Sequence, residues 1–219
     1  MRRVCRVSLL ICLVWAAPCW PARAQAPERV SVASLVDRVL TRLAAAEGLR
    51  AEFLQVNHWV VMEEADSARG VLNLAPPHLF RLEYTQPKGH LVGCDGRYVW
   101  TYVPEEHQVL RARWTATTGW GDFFIQGLKE GADSLATVST EPGGRRVARV
   151  VLGPHIEWGM LDLIISFDLA SDLPVGYAYH DEEGNHVQFI FAQIAFPERM
   201  DDELFQFAPP EGYELLDVD

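Results

Sequence analysis

The sequence predicts a mainly β protein of the α+β class, in which one N-terminal helix precedes about eleven strands that pair mostly antiparallel. Three observations lead to this fold class. Apolar residues recur at every third or fourth position before Gly48, their spacing changes toward every second position from Ala51, and short turn sequences separate the alternating segments. No repeat or linker divides the chain, so residues 25–219 are expected to form a single domain.

The first predicted element is an amphipathic helix, and either Ser31 or Ser34 can cap its first turn. Gly48 is expected to end this helix, because glycine readily adopts the left-handed conformation that closes a helix. One face of the helix is continuously apolar. Its members are Leu35, Val36, Val39, Leu40 and Leu43.

Alternating segments follow the helix, and turn sequences such as Asp95-Gly96 separate them. Strands are expected near 51–62, 70–74, 79–85, 90–93, 97–103, 108–113, 135–140, 145–152, 161–169, 175–180 and 186–194. Within them apolar and polar side chains alternate, which gives the sheet one dry face. The apolar rows contain Leu161, Leu163, Ile165 and Phe167; Phe80, Leu82 and Tyr84; Tyr98, Trp100 and Tyr102; and Val187, Phe189 and Phe191.

Periodicity leaves two interpretations of these rows open. The rows can form the packed core of an ordinary sandwich or barrel. They can also line an apolar cavity inside a curved sheet, which would suit a lipid-like ligand.

A second, short helix is expected in the middle of the chain, where Asp122 can cap an apolar stretch interrupted by glycines. This segment would either plug the end of a barrel or act as a glycine-hinged lid over a ligand cavity. Its large apolar residues are Trp120, Phe123, Phe124 and Leu128.

Residues 1–24 have the layout of a secretory signal peptide, with a cationic start, a short apolar stretch and expected cleavage after Ala24. The apolar stretch is too short to span a bilayer, and no later segment is apolar over 18 residues, so no stable membrane insertion is expected. The segment contains four arginines and no acidic residue. The exported chain would therefore carry 15 basic and 30 acidic residues, a net charge of −15.

The acidic charge argues against nucleic acid binding, because such proteins gather cationic side chains to displace counterions from phosphate. The chain lacks the motifs of zinc proteases, serine hydrolases, P-loop proteins and dinucleotide-binding proteins, and no enzymatic activity is expected. Cys94 has no histidine beside it in sequence, so it is not expected to be a nucleophile. His180 and His186 could face each other across a hairpin, but two such residues are more typical of a polar surface than of a metal site.

Several short sequences occur in an informative order. Phe53-Leu54-Gln55 opens the first long strand, and Gly70-Val71-Leu72-Asn73-Leu74 and Pro77 follow. Asp95-Gly96-Arg97-Tyr98-Val99-Trp100 stands further on, and Phe205-Gln206-Phe207-Ala208-Pro209-Pro210-Glu211-Gly212 lies near the C-terminus. Together with the signal sequence, this order resembles the periplasmic outer-membrane lipoprotein carrier family, LolA, over nearly the whole mature chain.

The resemblance implies an unclosed antiparallel half-barrel whose concave apolar face is covered by the N-terminal helix and a short lid helix, without any cofactor. In this family an inner-membrane ABC transporter loads acylated lipoproteins onto the carrier, which crosses the periplasm to an outer-membrane lipoprotein acceptor. A periplasmic chaperone with this role is therefore expected. The implied lipid-binding cavity contains Leu35, Val39, Phe53, Phe80, Leu82, Tyr84, Trp100, Tyr102, Leu163, Ile165, Phe167, Phe189 and Phe191, and the implied lid contains Trp120, Phe123, Phe124 and Leu128.

One position departs from the family pattern. Much of the family has an arginine directly before the proline matched to Pro77, and this arginine latches the closed lid, whereas Pro76 stands there in this sequence. Arg81 is a possible substitute, although alternation along a strand would direct its side chain away from that of Phe80.

Two other functions remain possible at this point. One is a lipid-anchored acceptor, or a lipid-binding envelope-stress regulator, with the same half-barrel fold. An acylated N-terminal cysteine would distinguish an acceptor from a carrier. The other is a hydrolase acting on lipid or peptidoglycan, which would need a nucleophile constellation that the motifs do not supply.

Overall fold

The computed structural model describes residues 29–115, 127–131, 133–154 and 159–218. The predicted signal sequence 1–24 and the predicted lid residues Trp120, Phe123 and Phe124 lie outside these residues. Within the described ranges, no helix combines the length and the apolar character needed to cross a membrane.

Helix α1 covers Ala33–Ala45, a helical segment covers 127–131, and two 3-10 turns cover Pro104–Glu106 and Asp202–Phe205. The strands are β1 Arg29–Ser31, β2 Leu49–Trp59, β3 Glu64–Ala75, β4 Leu79–Gln86, β5 Leu91–Asp95, β6 Tyr98–Val103, β7 Gln108–Arg113, β8 Leu135–Thr140, β9 Arg146–Leu152, β10 Met160–Asp168, β11 Leu173–Asp181, β12 His186–Ala195 and β13 Glu214–Val218.

These strands form one unclosed sheet in the order β1-β8-β9-β10-β11-β12-β2-β3-β4-β5-β6-β7-β13. Strands β2 to β7 follow one another as hairpins, as do β8 to β12, and the antiparallel pair β12–β2 joins the two halves. Strand β13 is parallel to β7, whereas the other neighbouring strands pair antiparallel. The predicted fold class, an open antiparallel half-barrel with helices, is confirmed.

The eleven predicted strands correspond to β2 to β12, whereas the edge strands β1 and β13 were not predicted. Strand β1 has only three residues, which is too short for a periodic signal. Strand β13 contains the adjacent pair Leu215-Leu216, so its sequence does not alternate cleanly.

The predicted cap of α1 is wrong. The N-cap residue is Val32, and no side chain caps the helix. Val32 is fully buried, and its backbone N–H donates to the carbonyl of Ser134. Tertiary packing of Val32 therefore fixes the start of the helix, in place of either serine. The helix also ends before Gly48, at Ala45.

Gly48 has a packing role instead. A Cβ atom at this position would overlap the carbonyl oxygen of Leu74 and the sulfur of Met200. The absence of a side chain therefore allows the start of β2 to lie close to β3.

The apolar row predicted for β10 is interrupted at its first member. The register of β10 against β11 shifts between Met160 and Asp162, which is a bulge. Met160 is buried in consequence, whereas Leu161 is 51% exposed. The expected alternation holds from Leu163 onward.

Candidate functional site: the inner face of the sheet

Cross-strand register collects apolar side chains on one face of the sheet, which we call the inner face. Phe53 on β2 lies opposite Phe191 on β12, and Ile165 on β10 lies opposite Tyr177 on β11 and Val150 on β9. Large apolar side chains on neighbouring strands therefore form one continuous cluster. It includes Ala51, Phe53, Leu72, Leu74, Leu82, Ala148, Val150, Leu163, Ile165, Phe167, Tyr177, Phe189 and Phe191.

Helix α1 covers this cluster. Leu35, Val36, Val39 and Leu43 recur at helical spacing, are all buried, and pack into the same cluster as the sheet residues. Among the described residues, the inner face is thus covered by a helix and not by a second sheet.

The helical segment 127–131 adds to this cover. Leu128 is completely buried in the same cluster. A Cβ atom at Gly127 would lie 2.8 Å from Cδ2 of Leu163, so glycine allows the segment to approach β10 closely. Leu128 therefore packs against the inner face as expected for a plug or a lid.

The inner face becomes polar toward β3 to β6, where it opens into a groove of about 500 Å³. Tyr84 lies at the boundary, since its ring meets that of Phe53 edge-on with centroids 5.2 Å apart. Its hydroxyl donates to Oε1 of Gln55 over 2.7 Å. Burial, together with the nearby Tyr179, raises the pKa of Tyr84 to about 12, so the phenol remains a donor at neutral pH.

A chain of hydrogen bonds continues from Gln55 along the groove. Nε2 of Gln55 donates to Oδ1 of Asn57 over 2.9 Å, and Nδ2 of Asn57 donates to Oδ1 of Asp66 over 2.6 Å. The other carboxylate oxygen, Oδ2, accepts from Nε1 of Trp59 over 2.7 Å. The chain therefore ends on a carboxylate that accepts two hydrogen bonds.

The family model described as "Outer membrane lipoprotein carrier protein LolA" matches residues 44–208. The chain belongs to this family. It is 24% identical to the outer-membrane lipoprotein carrier protein of Methylococcus capsulatus over 91% of this chain and 93% of that protein. It is 27% identical to the protein of that name from Azotobacter vinelandii, over 98% and 99% of the two chains. The Shewanella sediminis protein is 29% identical over 80% and 82%.

A solved structure supports the fold assignment of this LolA-family chain. An uncharacterized conserved protein from Thermus thermophilus superposes with a TM-score of 0.55 at 17% identity. The match covers 86% of this chain and all of that one. This likeness concerns the fold alone.

Most of the residues expected to line the family's cavity are brought together on the inner face. Tyr84 packs at the edge of the apolar cluster, and Phe80 is buried on the same face but lies outside the cluster. The cluster itself contains Leu35, Val39, Phe53, Leu82, Leu163, Ile165, Phe167, Phe189 and Phe191.

Trp100 does not share this face, so its predicted placement is wrong. Tyr102 borders the polar groove, but its ring likewise does not join the apolar cluster. Trp100 lies opposite Gly93, which lies opposite Arg81, and Arg81 alternates with Phe80 along β4. The Trp100 ring therefore projects from the other side of the sheet, which we call the outer face. Alternation within β6 groups Trp100 with Tyr102 but carries no information on which face is concave.

The C-terminal segment 204–208 covers the outer face beside Trp100 and Tyr102. The ring of Phe207 stacks on that of Trp100 with centroids 6.3 Å apart, and the Tyr102 hydroxyl donates to the carbonyl of Ala208 over 2.9 Å. Nη1 of Arg81 donates to the carbonyl of Leu204 over 3.3 Å. Arg81 thus points away from Phe80, as the alternation predicts, and contacts this segment.

Gly93→Ala is expected to destabilise the fold by about 1–3 kcal/mol, because the added Cβ would overlap the Phe207 ring and displace it from Trp100. Urea unfolding measures this change. Gly153→Ala is the matched control, since a Cβ there meets nothing within 4 Å. Equal stabilities of the two variants would show that the C-terminal segment does not pack against β5 in this way.

A row of histidines crosses the outer face. His186 lies opposite both His180 and His58, with ring centroids 4.8 and 5.9 Å away. Nδ1 of His180 contacts both carboxylate oxygens of Asp162 at 3.0 Å. Among the described residues, no group of three or more His, Cys, Asp or Glu is placed to hold a metal ion.

His186 is expected to make this protein less stable in mild acid. Burial lowers its pKa, and the neighbouring His180 and His58 lower it further. The unfolded chain therefore takes up a proton near pH 6.5 that the folded protein resists, so stability falls as the pH drops below that value.

Urea unfolding at pH 7.5 and 5.5 tests this expectation. His186→Gln should lose less stability between the two pH values than the unsubstituted protein. His107→Asn is the control, because His107 is exposed outside the row and asparagine tolerates its left-handed backbone. If the stability of His186→Gln depended on pH as strongly as that of the unsubstituted protein, His186 would not be the cause of the instability in mild acid.

Cys94 is fully buried on β5, and its sulfur accepts a hydrogen bond from the Gly96 backbone N–H over 3.4 Å. This environment suits a structural cysteine.

The polar residues Gln55, Asn57 and Asp66 were missed in the sequence. Because Phe53, Gln55 and Asn57 occupy alternate positions of β2, they could have shown that the inner face becomes polar along this strand.

Proposed function

We propose that this protein is a periplasmic chaperone that binds the acyl chains of lipoproteins on its inner face and carries them from the inner to the outer membrane. The observation that carries the proposal is the continuous apolar inner face whose cover is helix α1. Membership of the LolA family and the names of the curated relatives support the same role.

The energetics of the cover suit reversible binding. Exposing one acyl chain of about sixteen carbons to water costs about 12 kcal/mol of free energy, at about 0.8 kcal/mol per methylene. Withdrawing the four buried side chains of α1 from the cluster costs about 1.5–3 kcal/mol each, or about 6–12 kcal/mol in total. The free energy gained by burying an acyl chain is therefore close to the free energy lost by exposing the apolar face of α1. A ligand can accordingly be both taken up and released.

The proposed partners are an inner-membrane ABC transporter that loads the carrier and an outer-membrane acceptor that unloads it. After removal of residues 1–24, the net charge of −15 would keep the free carrier off anionic bilayers between these encounters. Binding and release then require no catalysis by the chain itself.

Mass spectrometry of the protein purified from periplasm tests the proposal. A triacylated lipoprotein should accompany the protein, and the mature chain should begin at an unmodified Gln25. Purification of a demonstrably folded protein without any acylated partner, even from cells with a blocked acceptor, would contradict it. An acylated N-terminal cysteine would instead indicate an anchored acceptor.

A further inference from the structure

The groove beside Tyr84 differs in chemistry from the rest of the inner face. Apolar clusters exclude polar groups unless these are hydrogen-bonded, because burying an unpaired amide costs free energy. Yet Gln55 and Asn57 lie on the inner face in phase with Phe53, and Asn57 is buried. The chain from Tyr84 through both amides to Asp66 pairs the carbonyl oxygen and one N–H group of each amide.

The groove adjoins the apolar cluster directly, because Tyr84 lines the groove and its ring packs against Phe53. Its volume of about 500 Å³ is in the range of small-molecule sites. A ligand with an apolar chain on the cluster would therefore place its polar end in the groove.

The direction of the hydrogen bonds decides what polar end fits. Each amide has two N–H groups, and within the described chain Gln55 and Asn57 each use one of them along the chain to Asp66. The remaining N–H groups can donate to carbonyl oxygens of a ligand. Ester and amide carbonyls are such acceptors.

The charge of the groove opposes an anionic ligand. Asp66 supplies a carboxylate, and none of the described residues that line the groove is Lys or Arg. His90 also lines it, but its Nε2 contacts the Glu105 carboxylate at 2.8 Å. A free fatty acid would bring its carboxylate close to that of Asp66.

Resting on the proposed function, in which the inner face takes acyl chains, we propose that this groove binds the neutral, ester- or amide-linked head of an acylated ligand. Gln55 and Asn57 donate to its carbonyl oxygens, and Asp66 both orients the two amides and disfavours free fatty acids. The groove would thus distinguish an acylated glyceryl head from a fatty acid with the same chain.

Competition against a fluorescent acyl probe tests this inference, with monopalmitoylglycerol and palmitate as matched ligands at pH 8. The unsubstituted protein should bind the ester about tenfold more tightly than palmitate, since a like charge nearby is worth about one pKa unit or more. Asp66→Asn keeps the shape and should reduce this preference to about twofold or less. Glu52→Gln, which removes an exposed outer-face charge from β2, should leave the preference unchanged.

The outcomes separate this inference from the proposed function. Equal binding of both ligands by the unsubstituted protein, or an unchanged preference in Asp66→Asn, would overturn the role of the groove while leaving acyl binding in place. Failure of the folded protein to bind either ligand or the probe would overturn both.

Discussion

Val39→Ala is expected to make the protein less stable yet a tighter binder of an acyl probe. Val39 lies on the buried face of α1 and is fully buried, so the loss of two methyl groups should cost about 2 kcal/mol of folding free energy. If a ligand must displace α1, weaker packing of the helix lowers the cost of binding by a comparable amount. Probe affinity should then rise by about tenfold or more.

Val109→Ala provides the matched control. Val109 is equally buried, but it lies outside the main cluster, on the same face of the sheet as Trp100 and Arg111. This variant should lose similar stability with unchanged probe affinity. Unfolding by urea and fluorescence titration measure the two quantities. Equal or weaker probe binding by Val39→Ala would show that α1 does not compete with the ligand.

Phe167→Ala is expected to destabilise the protein by about 3–5 kcal/mol, which is enough to leave much of it unfolded at 37 °C. Phe167 is completely buried in the cluster between β9 and β11. Truncation would remove a large apolar side chain and leave a cavity. Thermal unfolding measures the change.

Val151→Ala is the comparison for this prediction. Val151 neighbours β10 in the same sheet but is 64% exposed, so its truncation should change stability by less than about 0.5 kcal/mol. A small effect of Phe167→Ala would mean that the cluster tolerates an empty volume at this position. The inner face would then be more loosely packed than the side-chain burial indicates.

The order and approximate bounds of the central strands could be predicted because local signals determine them. Alternating apolar residues and turn residues such as Asp95 mark each hairpin, and Asp95 accepts backbone hydrogen bonds from Arg97 and Tyr98 in the turn. The start of α1 could not be predicted in this way. Burial of Val32 and its bond to Ser134 depend on segments about 100 residues apart.

The sequence predicted which residues of a strand share a face, but it could not show whether that face is the inner or the outer face of the sheet when both faces carry aromatic residues. Phe189 and Trp100 occupy similar aromatic rows, but only the strand register places Trp100 on the outer face. The cover that buries Trp100 comes from Phe207, far along the chain. The bulge that exposes Leu161 likewise depends on pairing with β11. Such long-range pairings leave no periodic signal in a single strand.

Photo-crosslinking with a palmitoyl chain that carries a diazirine tests most directly whether the inner face binds acyl chains. After irradiation of the folded protein, peptide mass spectrometry should find the adducts on inner-face residues such as Phe53, Ile165 and Phe189. Excess unlabelled monopalmitoylglycerol should remove them. Adducts confined to outer-face residues such as Trp100 and Phe207, or adducts that resist competition, would contradict the account.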